Sequence, residues 1–290
     1  MKYISLFLMF FLLLNCEQKV VSSTQVVGET DAVYEKPGKV EINREKNTII
    51  ERFQPPQGFT WITSEENSYG NFIEHFPLKS YGSPIVKFNS EPVANQNLRE
   101  GVFDLDVGTR DLQQCADAVI RMRSEFLFKT RKFDEIKFHF TSGDLLTWND
   151  YREGVRAFVN GNKVTFRKAE TRDDSYGNFI KYLELVYNYA GTISQFRETK
   201  PLKSNSDLRT GDLLITAGSP GHVVFIAGTC KNEKGEKRYL LAEGFTPAQS
   251  ISIMSNPFDP KISPWYELDV NAAEIRTSRY RFQPVNFRRY

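Results

Sequence analysis

Two short apolar runs on either side of a Gly/Ser/Pro turn constrain this chain more than any other feature. Gly211-Asp212-Leu213-Leu214-Ile215 is followed by Gly218-Ser219-Pro220-Gly221 and then His222-Val223-Val224-Phe225-Ile226. Apolar runs this short, bounded by glycine and proline, read as strands, because neither breaker suits a helix interior. The turn between them predicts two adjacent strands. A lone histidine opens the second. Gly221, just before it, lets another group or a substrate backbone come close.

The rest of the chain from Gly211 onward is strand-rich. Strands are expected at Leu213–Thr216, 223–227, 239–243 and 251–254, with a hairpin tip over 230–237. Upstream, residues 102–107 alternate like a strand with one buried face, and 136–140 and 164–166 read as short strands. A helix is expected over 112–129 with Asp111 as its N-cap. Leu112, Cys115, Ala116, Val119, Met122 and Phe126 fall on one stripe of it. The hexapeptide Ser68-Tyr69-Gly70-Asn71-Phe72-Ile73 recurs at 175–180. Its flanks do not repeat, so it reads as two similarly capped helices. One helix preceding an antiparallel sheet predicts an α+β domain.

The ends are of different character. Lys2 precedes an almost unbroken apolar run over residues 3–14, too short to span a bilayer and suited to a signal peptide. It ends in Leu13-Leu14-Asn15-Cys16, which resembles a bacterial lipobox with Asn15 in place of the usual small residue. Residues 1–16 therefore read as a lipoprotein signal peptide, with Cys16 lipidated and the lipid as membrane anchor. Residues 17–47 are polar and without apolar periodicity, as in a flexible tether. Residues 48–290 are expected to form a single α+β domain. This organisation implies an exported protein, lipid-anchored in the bacterial cell envelope. The 38 basic and 36 acidic residues give a net charge of +2 with no long Lys/Arg block, which argues against nucleic acid as a partner.

A cysteine hydrolase needs a thiolate, a base and a group that orients the base. Cys115 lies in the first turns of its helix, where the positive helix end favours thiolate. His222 opens its strand and supplies the base. Glu243, on the next strand, is a candidate to accept the second imidazole N–H, with Gln249 an equal candidate. Gln114 and the Cys115 backbone N–H are candidate oxyanion donors. Asp117 brings a carboxylate close to the thiol, where it would oppose ionisation. Each residue has a plainer reading: Cys115 as a buried free cysteine, His222 as a core histidine, Glu243 as a solvated carboxylate. A Cys115–Cys230 disulfide is a further alternative in an exported protein. No His/Cys/Asp/Glu cluster has zinc spacing and no glycine loop suits phosphates, so neither metal nor cofactor is expected. The basic residues between 276 and 289 read as part of a solvated terminal strand.

The Gly211-Asp212 and Gly221-His222 runs together resemble the base-bearing half of NlpC-type and CHAP-type cell-wall hydrolases. Those are papain-like cysteine amidases and endopeptidases. The resemblance implies a papain-like fold, with a Cys-bearing helix packed on an antiparallel sheet, and peptidoglycan peptides as substrate. Gln114-Cys115-Ala116-Asp117 departs from the nucleophile motif of those enzymes. The 107 residues from Cys115 to His222 imply a helical insertion, placed at 144–201. A second resemblance covers nearly the whole domain. Asp111-Leu-Gln-Gln-Cys-Ala-Asp-Ala-Val, Tyr189-Ala-Gly-Thr, Gly218-Ser-Pro-Gly-His and Pro247-Ala-Gln are similar to a bacterial lipoprotein family catalogued as Domain of Unknown Function 4846. It implies a lipoprotein and leaves the activity open. Two functions follow: a cysteine hydrolase acting on cell-wall peptides, or a non-catalytic envelope lipoprotein that binds a cell-wall fragment or a partner protein.

Overall fold

A computed structural model describes residues 40–161 and 163–290. The signal peptide, Cys16 and most of the tether lie outside the described residues. The architecture is α+β around one antiparallel sheet. Its strands run in the spatial order Arg99–Val102, Ser252–Met254, Lys237–Glu243, His222–Asn232, Leu213–Thr216, Phe287–Arg289 and Lys200–Pro201. Phe59–Trp61 joins the far end of the His222 strand, and Trp265–Tyr266 joins the Glu243 strand.

The two apolar runs pair as their turn predicts, with Leu213 opposite Phe225 and Thr216 opposite His222. The close approach at Gly221 is made by the protein itself. A Cβ there would lie 2.4 Å from Thr192 Oγ1 and 2.6 Å from the Gly218 carbonyl oxygen. The His222 strand runs on to Asn232, into the expected hairpin tip, because Phe59–Trp61 and the start of Lys237–Glu243 flank it on both sides. The turn itself shrinks to residues 233–236. Residues 103–107 are not a strand. The chain leaves the sheet after Val102: Phe103 N–H donates to the Ile251 carbonyl at 3.0 Å, and Phe103 makes an isolated bridge to Leu78.

Both faces of the sheet are covered. Val223, Phe225, Ala227, Leu240 and Ala242 pack against Ala116, Ala118, Val119 and Met122 of the helix Cys115–Lys129. The alternate residues Val224, Ile226, Tyr239 and Leu241 pack against Leu268, Ile275, Phe282 and Phe287 from the C-terminal segment. The period-2 alternation of a strand makes this division: one parity faces the helix, the other the tail. The segment read as solvated is therefore part of the core, and Arg289 grips the buried Asp212 through Nε (2.6 Å) and Nη2 (2.8 Å).

The segment 144–201 folds on the outer side of the same helix. It contains Leu145–Thr147, the helices Trp148–Arg152, Tyr176–Tyr189 and Thr192–Glu198, and the hairpin Val155–Asn160 with Lys163–Lys168. Phe138, Trp148, Phe179, Tyr182 and Val186 form a separate core with Ile120, Phe126 and Leu127. Helix Cys115–Lys129 is thus clamped between two apolar layers. The repeated hexapeptides open two helices, Tyr69–Glu74 and Tyr176–Tyr189. In each the serine hydroxyl accepts from the backbone N–H three residues on, at 3.2 Å.

Candidate functional site

The helix carrying Cys115 starts later than its sequence suggests. Gln114 is the N-cap and Cys115 the first helical residue. Asp117 closes the cap by accepting the Gln114 backbone N–H at 3.0 Å. Asp111 lies outside the helix. Its Oδ1 accepts from Gln114 Nε2 (3.1 Å) and from the Ala248 backbone N–H (2.7 Å). Asp111 therefore ties the helix start to the loop that follows Glu243. Cys115 is half-exposed, and its backbone N–H is among the first-turn donors that have no intrahelical acceptor.

The strands bring His222 and Glu243 to the same end of the sheet, because His222 begins one strand and Glu243 ends its antiparallel neighbour. His222 Nε2 lies 2.7 Å from Glu243 Oε2, and both side chains are buried. The helix start reaches this end because residue 244 is glycine. A Cβ there would lie 2.7 Å from Ala118 Cβ and 2.9 Å from the Gln114 carbonyl oxygen. The Cys115 thiol lies close enough to the imidazole to act on its charge. Since Nε2 is engaged by Glu243, Nδ1 is the nitrogen left for the sulfur. Burial alone would lower the His222 pKa. The contacts with Cys115 and Glu243, and the negative charge of both, override burial and raise it to about 9.

Three aromatic rings enclose the imidazole. Phe245 lies edge-on at 5.2 Å, Tyr280 at 4.8 Å and Phe282 at 5.8 Å between centroids. A polar layer backs Glu243. Arg279 Nε lies 3.1 Å from Glu243 Oε1, and its guanidinium sits over the Phe245 ring at 5.1 Å. Gln249 belongs to this outer layer: its Oε1 accepts from Arg279 Nη1 at 2.9 Å, and its Nε2 donates to the Pro247 carbonyl at 2.9 Å. Glu243, not Gln249, is the group on the imidazole. No local signal points to Arg279, which lies 36 residues after Glu243 in the C-terminal segment that folds over the sheet.

Asp117 does not act as an opposing charge at neutral pH. Burial raises its carboxyl to about 8, so the proton is largely retained. Cys230 is excluded as a disulfide partner. Both cysteines are free thiols. Cys230 stands eight residues along the strand from His222, roughly 26 Å away at 3.3 Å per residue, whereas a disulfide needs Cα atoms within about 7 Å. It is buried between Trp61 and Arg238, and burial pushes its thiol up to about 12. Of the other histidines, His139 is exposed, as its alternation with the buried Phe138 and Phe140 predicts, and pairs with Glu198 at 2.8 Å. Among the described residues no group of three or more His, Cys, Asp or Glu is placed to hold a metal ion.

This arrangement spans the region that a family model recognises. The model described as Domain of unknown function (4846) matches residues 49–289. The chain belongs to Domain of Unknown Function 4846. The match includes every element that builds the Cys115 cluster, from the helix to Arg279. No curated protein and no solved structure matches the chain.

Proposed function

We propose that this member of Domain of Unknown Function 4846 is a cysteine hydrolase of papain-like design that cleaves amide bonds in cell-wall peptides. The observation that carries the reading is the chain of contacts from Cys115 through His222 to Glu243 and Arg279. A half-exposed thiol at a helix N-terminus meets an imidazole that keeps its proton at neutral pH, which is the composition of a thiolate–imidazolium pair. The resemblance of the Gly211 and Gly221-His222 runs to cell-wall hydrolases supports the substrate class.

In this reading the Cys115 thiolate attacks the amide carbonyl carbon, and the electron pair of the C=O bond moves onto oxygen. The Cys115 N–H and the second hydrogen of Gln114 Nε2 are the candidate donors to that oxyanion. Collapse expels the amine, which takes its proton from the His222 imidazolium and leaves a thioester on Cys115. Water then attacks the thioester. His222 accepts the water proton, the carboxylic acid departs, and the proton returns the pair to its resting state. Glu243 holds the imidazole in register throughout, and Arg279 balances the Glu243 charge.

The reading includes export and a lipid on Cys16, supported by the lipobox-like Leu13-Leu14-Asn15-Cys16. Incubation of the purified protein with muropeptides, followed by mass spectrometry, tests the activity. Cys115→Ala is expected to abolish cleavage, by at least about 10³-fold, with thermal unfolding little changed. Cleavage at the wild-type rate by Cys115→Ala would overturn the hydrolase reading. Retained muropeptide binding with no turnover by either protein would point instead to a binding lipoprotein.

A further inference from the structure

Next to the His222 cluster lies a cavity of about 260 Å³ that the chemistry above leaves unused. One wall is the chain just past Glu243, with Phe245, Thr246 and Pro247. The other is built by Val93, Ala94 and Leu98, ahead of the strand Arg99–Val102. Three contacts fix it to the reacting groups. Phe245 touches the His222 ring. Thr246 Oγ1 donates to Gln114 Oε1 at 3.2 Å, one residue from Cys115. Arg279, which also lines the cavity, stands on Glu243. The cavity is thus one contact away from the imidazole and from the residue that precedes Cys115.

The walls say what kind of residue it would hold. The apolar side suits the aliphatic stem of a side chain, and the volume suits one residue rather than a bulky ligand. The charged residues that line the cavity, Lys87 and Arg279, are both cations. Glu91 holds Lys87 Nζ at 2.6 Å, but Glu91 is 63 % exposed, and ion pairs this exposed are weak and readily exchanged. Arg279 spends Nε on Glu243 and Nη1 on Gln249, and these contacts orient its planar group. We infer that this cavity is the specificity pocket of the Cys115 site and takes a carboxylate-bearing residue adjoining the scissile amide. The inference rests on the reading of Cys115 as a nucleophile. A lysyl residue in the same place would add a third cation to a pocket with no carboxylate in its lining.

Peptidyl acyloxymethyl ketones test it on the full chain. Two series are needed, with Glu, Gln or Lys either before the reacting ketone or in the acyloxy leaving group. Labelling of Cys115 is timed by mass spectrometry, with iodoacetamide as a probe that needs no pocket. In one series Glu is expected to label at least about tenfold faster than Lys, with Gln between, as favourable and like-charge pairings differ. Lys87→Glu is expected to invert that order. Leu98→Trp is expected to slow all peptidyl probes of that series while iodoacetamide labelling keeps the wild-type rate, which also reports an intact fold. Equal rates for Glu and Lys in both series, or a Leu98→Trp protein as fast as wild type, would overturn the pocket. Failure of the nucleophile reading is distinct: iodoacetamide would then label His222→Ala and wild type alike.

Discussion

At the scale of single residues, the chemistry depends on which charges are buried together. Glu243 is shared between His222 and Arg279, so each neighbour has a separate, measurable effect. Glu243→Gln removes the charge and the acceptor that hold the imidazolium. Its NMR titration is expected to move from about 9 toward the ordinary 6.5. Arg279→Ala leaves a buried carboxylate oxygen without its cation and is expected to cost about 1–3 kcal/mol in thermal or denaturant unfolding. Asp117 gives a pH effect of defined sign. Its proton is held to about 8 in the folded chain and to 3.8 when unfolded, so its contribution to stability is fully present below pH 3.8 and is lost as pH rises toward 8. Asp117→Asn is expected to flatten that fall, whose slope approaches about 1.4 kcal/mol per pH unit. Denaturant unfolding at pH 5 and pH 8 measures it. Cys115, His222 and Glu243 were legible because each has a local signature: a helix start, a glycine-flanked strand start, a strand end. Arg279 has none, since its role depends on the tail folding back over the sheet.

At the scale of elements, the contact between helix start and strand end decides whether the thiol meets the imidazole. Gly244 permits it. Gly244→Ala is expected to push Cys115–Lys129 off the sheet, because the added methyl would meet the Gln114 carbonyl and Ala118. The expected loss is about 1–3 kcal/mol of stability, together with the alkylation behaviour of the His222-paired thiol. Pattern predicts most element types, the strand expected over 102–107 being the exception, and the two capped hexapeptides show how far local chemistry reaches. Boundaries went wrong where a distant partner decides them. The His222 strand extends because Phe59–Trp61 pairs with its end, and residues 103–107 leave the sheet despite their alternation. The helix begins at Cys115 because Asp117 caps Gln114, while Asp111, an equally good cap by composition, is drawn to Ala248 instead.

At the scale of the whole molecule, the segment 144–201 is the least legible part. Its aromatic spacing predicts a helix, but not that the helix would cover the outer face of Cys115–Lys129 and give that helix a second core. Gln195 adds a polar tie, donating to the Ala116 carbonyl at 2.6 Å in the first turn of the Cys115 helix. Among the described residues no helix is long and apolar enough to cross a membrane. The lipid reading therefore makes its own prediction: Cys16→Ser is expected to abolish incorporation of labelled palmitate and to move the protein out of the membrane fraction.

The central claim is that the His222 imidazolium sets the reactivity of the Cys115 thiol. Its most direct test is the rate of iodoacetamide labelling of Cys115 across pH 5–10 in wild type, Glu243→Gln and His222→Ala. The account predicts a step near pH 9 in wild type, where the imidazolium loses its proton. That step moves to lower pH in Glu243→Gln, whereas in His222→Ala the labelling below pH 7 is lost and the rise that remains is that of an unpaired thiol. Superimposable profiles for wild type and His222→Ala would contradict it.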